Sequence, residues 1–374
     1  MRSWLICLFM SMACASEVTV LRLPAGGLQP QVVCDAQGGL HAVYLRGDAA
    51  AADVFYVKRA AGAAAWSEPL RVNSQPGAAV AMGTVRGAHL ALGRQGRVQV
   101  AWLGSNSAQP RAPGNSTPWL YARLDPAAAA FTAQRNLVTT AVGLDGGGSI
   151  AADATGAVSV LWHAMAGAND EAGRRVFIAT STDDGETFSA ERPAMDQATG
   201  VCSCCSLAAA AAGGRVAVLY RAAIAGTQRD VILLTSGPGQ AWTGVDLQPW
   251  TLNQCPMSTA ALLAVEEGGW LAAWQTGDQV WWKAVGVGSK RPGAMIPAPG
   301  AAKGRKHPAL ARQRDGRVLF AWSEGTGWNR GGSIHWQLFD AAAGPQGAPG
   351  QADGLPPWSL PAVATWGDGF AVIF

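Results

Sequence analysis

Charge is scarce in this chain: Asp, Glu, Lys and Arg make up only 14% of the residues, with 28 basic against 25 acidic groups. There is no basic tract and no basic patch interleaved with aromatics, so nucleic acid is not an expected partner. Beyond residue 10 no apolar run reaches the roughly 18 residues that a membrane span needs, and no transmembrane segment is expected. Apolar spacing of helical period is missing as well. No shift in composition marks off a second domain. Tyrosine is rare, and its four copies are Tyr44, Tyr56, Tyr121 and Tyr220, leaving the last third of the chain without one.

Glycine and tryptophan, by contrast, are plentiful, at 47 and 16 residues. They mark a repeat. Each copy is a short strand, a turn with a glycine, and a second strand ending near an aromatic residue. The turn glycines are Gly39, Gly96, Gly156, Gly214, Gly269, Gly316 and Gly369, and the aromatics are Tyr44, Trp102, Trp162, Tyr220, Trp274, Trp322 and Phe374. Successive aromatics lie about 48 to 60 residues apart, a spacing that suits four-stranded propeller blades with loop insertions. Further strands are expected after the first six copies, most clearly at 53–57, 231–235 and 333–339. The seventh copy stops after its second strand, and the orphan segment 18–23 is expected to complete it. The reading is therefore an all-β propeller. Seven blades are favoured and six is the alternative, with the chain ends joined in one sheet to remove an exposed edge. The Gly- and Pro-rich stretch 343–357 is expected to be a surface connection.

The chain opens with Arg2, an apolar core from Trp4 to Met10 and the small-residue site Ala13-Cys14-Ala15, the pattern of a secretory signal peptide spanning residues 1–15. The remainder, 16–374, is then a single periplasmic or secreted domain; a lipoprotein anchored at Cys14 is the alternative. Apart from Cys7 and Cys14, five cysteines remain: Cys34, Cys202, Cys204, Cys205 and Cys255. An odd number in an oxidising compartment implies a free thiol or an external partner.

Residues Ser181-Thr182-Asp183-Asp184-Gly185-Glu186-Thr187-Phe188 match S-x-D-x-G-x-T-F, the Asp-box, and the unit around them resembles a blade of the sialidase-like (BNR-repeat) propellers. That resemblance implies that loops entering first strands and leaving second strands open on one face, around the central channel, with Asp-box turns on the other. It places Cys202-Ser203-Cys204-Cys205 and Cys255-Pro256-Met257 at equivalent positions of adjacent blades, and a similar double cysteine and later Cys-Pro occur in a group of exported BNR-repeat proteins. Disulfide bonding among Cys202, Cys204, Cys205 and Cys255 is the simplest reading. A copper or zinc site built from these four with Met257, or a redox-active disulfide, is the alternative. No cofactor is otherwise expected.

The same topology implies that His163, Arg221, Gln275 and Glu324 reach the channel mouth, with Arg229 nearby and His307 facing it from the sixth copy. Arginine suits carboxylate recognition, because its planar fork donates to both oxygens. An exo-alpha-sialidase would further need an early Arg, for which Arg22 is available, an acid/base Asp (Asp48 or Asp53), and a late Tyr that this chain lacks. The expected ligand is a glycan or another anionic small molecule, with the catalytic candidates limited to Arg22, Asp48, Arg221 and Glu324.

Overall fold

Alternating apolar runs cut by tight turns leave each strand one choice of neighbour, the run that follows it, and the chain folds accordingly as a series of antiparallel sheets. The computed structural model describes residues 17–166, 170–196, 199–265, 268–286 and 293–374. The expected signal segment lies outside these residues. The described residues form seven sheets and contain no α-helix, only three single-turn 3-10 segments. No helix among them is long and apolar enough to cross a membrane.

The innermost strands of blades 1 to 7 are Leu28–Cys34, His89–Leu92, Gly148–Ala152, Ala208–Ala212, Ala260–Ala264, Lys306–Arg312 and Ala362–Trp366. In each of the first six blades the chain then steps outward, strand by strand. Blade 7 has only Ala362–Trp366 and Gly369–Ile373 of its own, and Val18–Leu21 adds a third strand, parallel to the second, in the register Val18 to Phe370 through Leu21 to Ile373. The expected closure is present, and the ring has seven blades.

Second strands are apolar at almost every position because each blade is sandwiched between two others. Successive side chains point to opposite faces, so Val158, Val160 and Trp162 pack toward blade 2 while Leu161 packs toward blade 4. Seven such clusters fill the seven blade interfaces. The last of them joins Leu21, Leu23, Ala371 and Ile373 to Leu40, Ala42 and Tyr44 of blade 1. The repeat aromatics Trp102, Trp162, Trp274 and Trp322 are fully buried there. Their indole N–H groups still find acceptors, at Ala78 O, Ala141 O, Gln248 Oε1 and Glu324 Oε1, as buried polar groups must.

Turns on the far face fasten neighbouring blades. Asp184, at φ 59°, accepts from the backbone N–H of Arg94 (3.0 Å) and from Arg97 Nε (2.7 Å) of blade 2. Within the same turn Asp183 accepts from the Thr187 amide (2.9 Å) and Ser181 Oγ (2.7 Å). Glu191 performs a similar task, taking the backbone amides of Thr139, Thr140 and Ala141. Burial alone would raise its pKa, but those amides and the Thr139 hydroxyl outweigh burial and bring it to about 2.

One sequence expectation needs correction. Residues 343–357 are not a surface connection, because Pro345–Leu355 is the outer strand of blade 6. Proline is tolerated on an edge strand, where one side of the backbone needs no partner. A register shift opposite Trp336 and Leu338 leaves Pro349 outside the ladder. Gly350 lies against the Trp336 ring, where a Cβ would stand 2.2 Å from Cε2. Composition suggested a loop, and cross-strand contact with Trp336 makes it a strand.

Candidate functional site at the channel mouth

Because first and second strands are antiparallel, the start of one lies beside the end of the other, as Gly148 does beside Trp162 and Ala260 beside Trp274. The seven starts and seven ends therefore share one face. Inner strands from all seven blades enclose a channel of about 840 Å³. Its walls are largely alanine, leucine and valine, since seven strands converging on an axis leave room only for small or slender side chains. Gln29, Thr84, Ser206, Thr259 and His307 ring the mouth, whereas Asp35, Gln95 and Arg312 stand at the other end.

Two buried polar side chains flank blade 7 at the mouth. Gln29 and His307 occupy equivalent places in blades 1 and 6: each precedes a proline, interrupts the ladder with a bulge, and adopts a positive φ (53° and 55°). The bulge turns both side chains away from the ordinary alternation. Gln29 donates from Nε2 to Ala81 O (2.7 Å) and Gly83 O (2.6 Å), while its buried Oε1 has no protein partner. His307 holds Ser323 Oγ at 2.7 Å and Thr84 Oγ1 at 3.0 Å. Burial, reinforced by Lys306, drops its pKa to about 3, so the ring is neutral at ordinary pH.

Beside them stands an aromatic pair. Trp328, in the loop after the second strand of blade 6, is 48% exposed, unusual for so large an apolar side chain. Its ring lies edge-on to Trp358, with centroids 6.4 Å apart. Trp358 leads into Ser359, whose hydroxyl accepts from the Gln29 backbone N–H (3.1 Å). Gly83 lies next to Trp328, where a Cβ would stand 3.6 Å from the ring. Trp328, Trp358 and Gln29 were not singled out in the sequence. The signals were a tryptophan in a Gly-rich loop, another after Pro-Pro, and the shared X-Pro step at Gln29-Pro30 and His307-Pro308.

The expected ligand-binding residues are placed differently. Arg221 is 4% exposed. It donates from Nε to Ser258 Oγ (2.9 Å), from Nη1 to Arg229 O (2.6 Å) and from Nη2 to Gln275 O, and it covers the Trp250 ring at 4.8 Å. Nε and Nη2 thus reach across to blade 5, while Nη1 holds the loop of blade 4. Arg229 is buried and pairs with Glu171 at 2.6 Å. Gln275 is buried and donates to Gly277 O (3.2 Å). His163 is fully buried against Arg174 Nη1 (3.2 Å), and burial together with that charge lowers its pKa to about 3.

The remaining catalytic candidates are dispersed as well. Arg22 ties the N-terminal strand to blade 6 through Gly354 O (3.1 Å) and Asp353 O (2.7 Å). Asp48 caps an exposed turn at the Ala50 N–H (2.8 Å), and Asp53 holds Asn73 and the Gly77 N–H at 2.7 Å each. Glu324 takes Arg305 Nε (2.9 Å) and Trp322 Nε1 (2.8 Å). Burial would raise its pKa, but Trp322, His335 and Arg305 keep the carboxyl below its ordinary value. All four tyrosines are packed within blade interfaces. Among the described residues lining the channel, the single carboxylate is Asp35, at the far end.

The cysteines do converge. Cys204 and Cys255 form a disulfide linking the loops into blades 4 and 5, with Cα atoms 6.5 Å apart. Cys202 and Cys205, also expected as disulfide candidates, are buried thiols with sulfurs 3.1 Å apart. Met257, two residues after Cys255, adopts φ 47°. Cys34 is a free, half-buried thiol outside this group.

Burial of neutral imidazoles has a consequence for acid stability. Unfolded histidine titrates near 6.5, whereas His163 and His307 do so near 3 in the folded chain. Between those values the unfolded state binds more protons, so the stability contributed above pH 6.5 is lost as pH falls toward 3. His307→Gln keeps hydrogen-bonding capacity and removes one such group. Its melting temperature is expected to fall less steeply than wild type between pH 6.5 and 4; an identical slope would mean that His307 is not held neutral.

No protein-family model matches the chain, and no curated protein resembles it in sequence. Its fold is nevertheless shared. A protein of unknown function from Dyadobacter fermentans aligns over 87% of this chain and 94% of its own, at 12% identity and a TM-score of 0.52. An α-L-arabinanase from Penicillium chrysogenum, solved with arabinobiose, aligns over 84% and 94%, at 14% identity and 0.53. The Hadza microbial sialidase Hz136 aligns over 79% of this chain and 63% of its own, at 15% identity and 0.51. The structural neighbours thus include sialidases and other carbohydrate-active propellers, and this chain is a seven-bladed β-propeller of the same general architecture.

Proposed function

We propose that the protein binds a neutral oligosaccharide at the channel mouth, between blades 6, 7 and 1, as a carbohydrate-recognition module. Likeness in fold at these identities does not fix chemistry. The reading rests on the exposed Trp328 packed against Trp358 at the mouth. A sugar ring offers one apolar face and a rim of hydroxyls. A tryptophan supplies rigid apolar surface for the first, and a fixed polar atom selects the orientation of the second. A neutral ligand is favoured because Arg221, the arginine expected to bind a carboxylate, is committed to backbone carbonyls of blades 4 and 5. Binding without turnover is favoured because, among the described residues lining the channel, there is no tyrosine and the single carboxylate is Asp35, at the far end.

The expected result on an array of neutral and sialylated oligosaccharides is retention of neutral members. Trp328→Ala should weaken binding of the best one by about tenfold or more, about 1.4 kcal/mol, with little change in melting temperature because the side chain is half exposed. Selective retention of sialylated members, or hydrolysis of a sialoside reporter, would favour the exo-sialidase reading instead.

A further inference from the structure

We propose that Cys202, Cys204, Cys205 and Cys255 form a binding site for one thiophilic d10 ion, Cu(I) or Zn(II), which becomes available when the Cys204–Cys255 disulfide is reduced. Four sulfurs from two separate loops are already gathered. Those of Cys202, Cys204 and Cys255 lie within 4.8 Å of one another. Cys205 Sγ is 3.1 Å from Cys202 Sγ, which is itself 3.5 Å from Cys204 Sγ. A disulfide staple alone needs only Cys204 and Cys255, and it gives no reason for a buried thiol, Cys202, against it and a second, Cys205, against that.

The surroundings suit a thiolate cluster. Ser258 Oγ lies 3.2 Å from Cys205 Sγ and also accepts from Arg221, so a buried cation stands one hydroxyl away. Glu171 accepts from the Ser203 N–H (2.8 Å) and hydroxyl (3.0 Å), which pins the loop between the first two cysteines. Cys202 and Cys205 are buried and Cys255 is exposed, so an ion would enter from the Cys255 side. Soft thiolates select Cu(I) and zinc over hard cations.

The redox step balances with an external dithiol. The dithiol gives two electrons and two protons to the Cys204–Cys255 bond, leaving two thiols here and a disulfide on the reductant. Metal then replaces thiol protons, which pass to solvent.

The test uses the full chain, reduced with a phosphine and titrated with Zn(II) or, without oxygen, with Cu(I) against a chromogenic chelator. One ion per chain is expected, with sulfur ligands in X-ray absorption, at about 2.3 Å for zinc. The disulfide form should bind none. Cys255→Ser should weaken binding at least tenfold, while Cys34→Ser leaves it unchanged. Should Cys255→Ser fail to fold, alkylation of the wild-type thiols decides: bound metal should slow labelling of these four at least tenfold, but not of Cys34. Sub-stoichiometric uptake by the reduced chain, a spectrum without sulfur ligands, or labelling indifferent to metal would overturn the proposal. A tighter constant for one ion identifies the cargo.

Discussion

Replacing Arg221 with alanine is expected to cost stability, about 3–5 kcal/mol, and not ligand affinity. The substitution strips the donor from two buried carbonyls, Arg229 O and Gln275 O, and from the Ser258 hydroxyl. Each buried polar group left without a partner costs about 1–3 kcal/mol, and the stacking on Trp250 is lost as well. In a chain of this size that corresponds to a fall in melting temperature of roughly 4–7 °C. Oligosaccharide affinity of the folded fraction should stay within about twofold of wild type. If the melting temperature held while binding collapsed, Arg221 would be a ligand contact after all.

Removing residues 17–23 should have a larger effect still. Val18–Leu21 forms a parallel ladder with the last strand, and its loss uncovers Phe370 to Ile373 as a sheet edge. Leu21 and Leu23 also fill the interface between blades 7 and 1, worth about 1.5–3 kcal/mol each. The backbone bonds Phe374 N–H to Leu21 O and Leu23 N–H to Phe374 O, both 3.2 Å, disappear with them. With that strand in place blade 7 ends on a short four-residue edge, but without it the apolar strand Gly369–Ile373 becomes the edge and offers a template for association. Size-exclusion chromatography should show larger species than the full chain does, or aggregate, and melting should begin at least 10 °C lower. A truncated chain that elutes and melts as the full one does would contradict closure by the N-terminal strand.

The fold was legible because blades repeat the same local grammar. A glycine turn and a buried aromatic at fixed places, such as Gly156 and Trp162, reveal strand pairs without any knowledge of the ring. The resemblance in loop positions likewise led to the expectation that Cys202, Cys204 and Cys205 would converge with Cys255, without saying which would bond it. The site was harder to read because side-chain direction depends on register and bulges, which composition does not carry. Arg221 follows the repeat aromatic and lies at the correct end of its strand, yet it turns sideways into the next blade. Gln29 and His307 reach the mouth through left-handed bulges, a conformation that Gln-Pro and His-Pro do not announce. Trp328 and Trp358 lie 30 residues apart in different loops, and only the ring brings them together.

The most direct test of carbohydrate recognition at the mouth is a crystal structure of the protein soaked with the best neutral oligosaccharide from the array. The sugar is expected on the Trp328 face, at the mouth between blades 6, 7 and 1. A sugar bound at the Asp35 end of the channel, or on the outer strands with Trp328 left bare, would contradict it.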